Sequence, residues 1–143
     1  MPRLNRGGRR WALTSRTTTH RGSVRILGLD PGSQATGFGI IDWVDGDARY
    51  VASGAIRTSG AAFPPRLRQI FDGVLALMRE YGPREVAIER VFMHRNPDSA
   101  LKLGQARGAA RCAACVGDPE GFEYAPREVK LAVVGQGGAQ KEQ

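Results

Sequence analysis

Apolar side chains fill four of the six positions of Val24-Arg25-Ile26-Leu27-Gly28-Leu29, and the run stops at Asp30-Pro31-Gly32-Ser33. That density suits a strand buried on both faces. Proline presets φ and glycine accepts positive φ, so a tight turn is expected to follow. Asp30 then stands at the C-terminal edge of a core strand, where open α/β sheets place their ligands. Val86-Ala87-Ile88 repeats the pattern and runs into Glu89. Two acids that each finish an apolar strand are the most informative feature of the chain.

Between them, Thr36 to Val44 reads as a second strand, Asp45-Gly46-Asp47 as a hairpin turn and Arg49 to Ile56 as a third strand. The start is therefore an antiparallel meander. Pro64-Pro65 opens a helix whose apolar positions Leu67, Ile70, Phe71, Val74, Leu77, Met78 and Tyr81 keep helical spacing up to Gly82-Pro83. With strand one running up, two down, three up and the helix returning down, the strand ending at Glu89 runs up again. Asp30 and Glu89 then share an edge. If their strands are neighbours, a spacing of about 4.8 Å brings both carboxylates within reach of shared cations.

Asn96-Pro97-Asp98-Ser99 reads as a helix N-terminus, with Asn96 as cap and Asp98 at the positive end of the dipole. The helix is expected to run to about Val116. Gly104, Gly108 and Cys112 recur every four residues and form a close-approach ridge, for the sheet or for a second copy of the chain. Sequence favours the sheet. Gly121 to Ala125 makes a short fifth strand, Pro126 to Lys130 a helical turn and Gly135 to Gly138 a loop, and Ala139 to Gln143 reads as the first turn of a helix left unfinished.

At 143 residues, one domain with a real core is the expectation. The net charge of +7 is uneven: Arg3, Arg6, Arg9, Arg10, Arg16, Arg21 and Arg25 all precede Asp30, the first acid, and the remaining basic residues balance the 14 acids. Residues 1–23 are thus a basic leader: a phosphate-holding arm, an organellar transit peptide, or sequence upstream of the true start. The last is preferred, because the strand at Val24 needs nothing from the leader. No apolar run approaches the length of a bilayer-spanning helix or a secretory signal, so a soluble, cytoplasmic protein with no membrane partner is expected. Cys112 and Cys115 form a C-x-x-C, but a structural zinc site needs four ligands and only His20 and His94 are on offer, so buried small side chains are the preferred reading.

The order of elements resembles the ribonuclease-H-like fold, an α/β class with a five-stranded mixed sheet and flanking helices. The wording of the motifs is similar to that of the RuvC-type Holliday-junction resolvases. The matching pieces are Leu27 to Ser33 with Thr36-Gly37-Phe38-Gly39, Ala87 to Phe92, Asp98 to Gly108, and Arg127 to Lys130 with Val133-Val134-Gly135. They span the chain from about Val24 onward, so residues 24–143 read as the nuclease domain. The resemblance implies a homodimeric, Mg²⁺-dependent endonuclease with two ions per complete site, which cuts symmetric strands of a four-way DNA junction alongside a branch-migration helicase complex. It makes Asp30 and Glu89 catalytic, metal-binding carboxylates, Phe92 an aromatic that stacks on or unstacks a base, and Lys130 and Lys141 basic residues beside the scissile DNA. The family's remaining acids belong to a final helix beyond residue 143, which this chain is expected to lack.

Phosphodiester hydrolysis asks for an activated water, a stabilised phosphorane and a neutralised leaving oxygen, and two hard cations about 4 Å apart provide all three. Two carboxylates are few for two dications, so reduced metal affinity and rate are expected. Taken singly, Asp30 is equally a turn-capping aspartate and Glu89 an acid paired with Arg90. For Phe92 the plain alternative is core packing, and with the resemblance base stacking becomes the better reading. Lys102, Arg107, Arg111, Lys130 and Lys141 would neutralise phosphates, or serve only as surface charge. A branched-DNA-binding remnant that does not cut is the competing reading. A nucleotide-binding protein of the actin and sugar-kinase type would need a second domain.

Overall fold

The computed structural model describes residues 22–88, 96–119 and 121–124. Strands β1 (Ser23–Asp30), β2 (Ala35–Val44) and β3 (Asp47–Arg57) form the meander, followed by helix α1 (Phe63–Tyr81), strand β4 (Glu85–Ile88), helix α2 (Pro97–Val116) and strand β5 (Gly121–Tyr124). They build one five-stranded mixed sheet in the order β3-β2-β1-β4-β5. β1 pairs antiparallel with β2 and parallel with β4, and β4 pairs parallel with β5. β1 therefore lies at the centre, and β1, β4 and β5 deliver their C-terminal ends to one edge.

Local chemistry explains the boundaries. Asp45 and Gly46 both have positive φ, 51° and 83°, which gives the two-residue hairpin the twist its flanking strands need. Proline occupies the first turn of α1, and Gly82 ends the helix in the left-handed region at φ 59°, its N–H donating to the Met78 carbonyl at 3.1 Å. At the start of α2, Asn96 Oδ1 accepts from the Asp98 N–H at 2.9 Å, as the capping sequence predicts.

Alternation along the strands splits the core in two. Leu27, Leu29, Ile40, Val86 and Ile88 face the helices, where they meet Ile70, Val74, Leu77 and Met78 of α1 and Ala106, Ala110, Ala113 and Ala114 of α2. Ile26, Ile41 and Ala87 form a smaller cluster on the opposite face with Val24, Trp43 and Ala48. Two sequence expectations fail on α2. The ridge of Gly104, Gly108 and Cys112 does not pack on the sheet: a Cβ on either glycine would meet open space. Cys112 and Cys115 are exposed rather than buried. The alanines at 106, 110, 113 and 114 share a helical face that keeps its Cβ contacts at close approach, and Gly104 stands about 200° around the helix from Ala106.

On the sheet, Arg25 crosses to its partner Asp42 with two hydrogen bonds, Nε to Oδ1 at 2.8 Å and Nη2 to Oδ2 at 3.0 Å. Its Nη1 donates to the carbonyl of Tyr81 at 3.0 Å, so the end of α1 is tied to the meander. The hydrogen bonds Arg25 donates to Asp42 raise the Arg25 pKa above its ordinary value. A raised cation pKa means the contribution is present throughout the neutral range and fades only in strong alkali.

Two stability outcomes follow. Gly73 lies where α1 crosses β3, and a Cβ there would come within 2.6 Å of Ile56 Cγ2 and 2.9 Å of its Cδ1. Alanine improves helix propensity by about 1 kcal/mol, but overpacking costs about 1–3 kcal/mol. Gly73→Ala should therefore lower the urea midpoint, whereas a raised midpoint would show that Ile56 yields freely. Arg25→Met should cost about 1–2 kcal/mol by the same measurement, because it removes two charge-assisted bonds and strands the Tyr81 carbonyl.

Candidate active site

Asp30 is the last residue of β1 and is exposed. It lies across from Gly37 of β2, and a Cβ built on Gly37 would sit 3.7 Å from the Asp30 Cβ, so no side chain crowds the carboxylate from that strand. The neighbouring pair on the same face is Gly28 with Gly39. Strand parity puts Asp30 on the face of Ile26 and Ala87, opposite the helices. The result is a carboxylate at the rim of a buried strand with a glycine floor beside it.

Next to β1, β4 runs parallel, with Leu29 partnered to Ile88 as the last described pair. Glu89, Phe92, Lys130 and Lys141 lie outside the described residues, as do the leader before Gly22, the turn expected at Pro126 to Lys130 and the loop at Gly135 to Gly138. Among the described residues no three histidine, cysteine, aspartate or glutamate side chains form a metal-holding cluster. Lys102 is exposed on the first turns of α2, and its Nζ is 3.3 Å from Asp98 Oδ2. Arg107 is half-buried on the same helix.

The turn after Asp30 departs from the sequence reading in its cause. Gly32 does not adopt positive φ; glycine is required because a Cβ there would run into the carbonyl oxygen of Ala35. The turn is held by residues the sequence did not flag. Arg66, on the first turns of α1, donates Nη2 to the Ser33 carbonyl at 2.7 Å and Nε to Thr58 Oγ1 at 3.2 Å. The Thr58 hydroxyl is shared between the carbonyls of Ser33 and Gln34, 3.1 Å from each, and its backbone N–H reaches Gln34 O at 3.0 Å. The Arg66 guanidinium lies 5.8 Å from the centre of the Phe63 ring. Beside it, Gln69 and Ser59 exchange two bonds of 2.9 Å, which secures the loop between β3 and α1. One signal was available: Arg66 is one helical turn before Ile70, a charge on the stripe that otherwise buries apolar groups.

A family model described as crossover junction endodeoxyribonuclease RuvC matches residues 26–143. The RuvC of Methylococcus capsulatus is 56% identical over 120 residues, covering 84% of this chain and 72% of that protein. The RuvC of Shewanella piezotolerans is 57% identical over 118 residues, covering 82% of this chain and 68% of that protein. Among solved structures, Thermus thermophilus RuvC superposes with a TM-score of 0.62 at 32% identity over 82% of this chain and 74% of that one. The same organism's RuvC in complex with a Holliday junction substrate gives 0.66 at 27% identity, over 80% of this chain and 79% of that one. The fold is ribonuclease-H-like, as the order of elements implied. With the family's motifs carried through the central strand and along α2, the chain belongs to the RuvC family of crossover junction endodeoxyribonucleases.

Proposed function

We propose that this chain binds four-way DNA junctions and hydrolyses their phosphodiesters with magnesium held by Asp30 and Glu89. The observation that carries the reading is the parallel register of β1 with β4: the last described pair is Leu29 with Ile88, and each is followed in sequence by an acid. If the strands continued in the same register, their spacing of about 4.8 Å would bring the two acids within reach of shared cations. An all-oxygen donor set suits a hard cation that keeps several of its waters. Bound magnesium would supply charge stabilisation at the phosphate and an activated water. The chain's own residues would do the rest: Asp30 and Glu89 hold and orient, Phe92 stacks on a base at the junction, and Lys130 and Lys141 face the scissile strand. Lys102 and Arg107 would neutralise phosphates farther out, Lys102 exchanging its surface partner Asp98 for DNA, since such pairs contribute little.

The nuclease domain is assigned to residues 24–143, with 1–23 as a basic leader outside it. A two-fold junction asks for a two-fold protein. The outer face of α2, where Leu101 is exposed and Gly104 and Gly108 leave open space, offers a second copy a close approach. The competing reading is junction binding without cutting.

Junction binding should weaken steeply with salt, the logarithm of affinity falling linearly with that of salt as phosphate contacts release counterions. Asp30→Asn should leave the gel shift within about twofold and abolish paired, Mg²⁺-dependent nicks at symmetric positions, a loss of at least about 100-fold. Nicking that survives Asp30→Asn would refute the metal site; binding with no nicks from the parent chain would select the non-cutting reading. Gly32→Ala should likewise depress nicking more than binding, because the turn must open around the Ala35 carbonyl.

A further inference from the structure

The hydrogen bonds around the turn after Asp30 converge on two residues, Thr58 and Arg66. We infer that Arg66, acting through Thr58 and the carbonyls of Ser33 and Gln34, is a positioning residue that fixes Asp30 for metal binding; this rests on the metal-site reading above. β2 holds Asp30 from the side through the pairing with Gly37. Beyond it, the chain leaves the sheet at Pro31 and re-enters at Ala35. Both carbonyls in the second half of that excursion are occupied by Thr58 and Arg66. A half-buried guanidinium with a 2.7 Å bond to one carbonyl and a second bond to the hydroxyl that holds both is a fork, not a loose surface charge. Phe63 covers one face of it, so the fork is confined in direction. A carboxylate at a strand end swings with the backbone that follows it. Clamping that backbone sets the carboxylate's direction before the ion arrives, which is how outer residues tune a metal site.

The test compares Arg66→Met, Arg66→Lys and Thr58→Val with the parent chain, with Asp30→Asn and with Arg68→Met as controls. Arg68 is on the same helix, pairs with Asp72 at 2.8 Å and is exposed, so its loss should change nothing at the site. Binding of Mn²⁺, a paramagnetic stand-in for Mg²⁺, is followed by water-proton relaxation without DNA, beside junction affinity, turnover and the urea midpoint. Arg66→Met should weaken Mn²⁺ binding about 10-fold and lower kcat by about 10–100-fold, with the junction KM within about twofold. Arg66→Lys should recover only part, because an ammonium cannot reproduce the fork, and Thr58→Val, close to isosteric, should fall between them. If Arg66→Met fails to fold, Thr58→Val carries the same comparison.

Unchanged Mn²⁺ affinity in a folded Arg66→Met or Thr58→Val, alongside its loss in Asp30→Asn, overturns the clamp and leaves the metal site standing. A raised KM with unchanged Mn²⁺ affinity also overturns it, and makes Arg66 a phosphate contact. Mn²⁺ affinity that Asp30→Asn does not alter, or no binding by the parent chain, sinks the metal-site reading, and the clamp with it.

Discussion

The parallel pairing of β1 with β4 is the constraint on which the rest of the structure depends. Parallel neighbours cannot be joined by a tight turn; the chain must leave one end of the sheet and return to the other. Here the excursion is long, through β2, β3 and α1, and α1 brings the chain back across the sheet. That return places the apolar residues Val86 and Ile88 beside Leu27 and Leu29, all within one core. A slip of one residue would move Val86 and Ile88 from the helix-covered face to the other, so burial locks the register. The register is thus locked by the core as far as Leu29 and Ile88, the last described pair.

Around Asp30 the structure works by subtraction. The positions flanking it across β1 and β2 are glycines, so a charged group can sit at the end of a buried strand and still meet solvent. Space alone does not orient a carboxylate, however. Orientation needs bonds to the backbone, and these come from Thr58, just past β3, and from Arg66 of α1, at the expense of a charge on its buried stripe. A half-buried guanidinium is tolerable only because its donors find acceptors, two of them in the Ser33 carbonyl and the Thr58 hydroxyl. A stabilising helix would have placed a hydrophobe there.

The fold was legible because its strands and α1 carry strong periodic signals with glycine and proline punctuation. The sequence readings of β1, β2, α1 and α2 agree with the structure to within a residue, and β3 begins two residues early, at Asp47. Sequence leaves open whether β1 and β4 are neighbours, since strand order is a tertiary property that no local pattern encodes. The role of Gly32 was misattributed because its requirement is a contact with Ala35 O, invisible in a dipeptide preference. Arg66 and Thr58 went unflagged for a related reason: they bond to carbonyls of residues 24 to 33 positions away, and backbone acceptors leave no mark in the sequence.

The failure on α2 has a different origin and bears on assembly. Its inward and outward faces are both made of small residues, alanine inside and glycine with cysteine outside, so hydrophobicity does not say which face is buried. The choice is made by methyl groups. An alanine face loses almost no side-chain entropy on burial and fills the gap between α2 and α1, whereas a glycine face turned inward would leave voids along the core. The glycines are therefore pushed outward by packing, whatever they do there. A helix interior rarely keeps exposed glycine at no cost, each one sacrificing about 1 kcal/mol relative to alanine. That standing cost at Gly104 and Gly108, where a Cβ would meet open space within the chain, is what a close partner helix would offset.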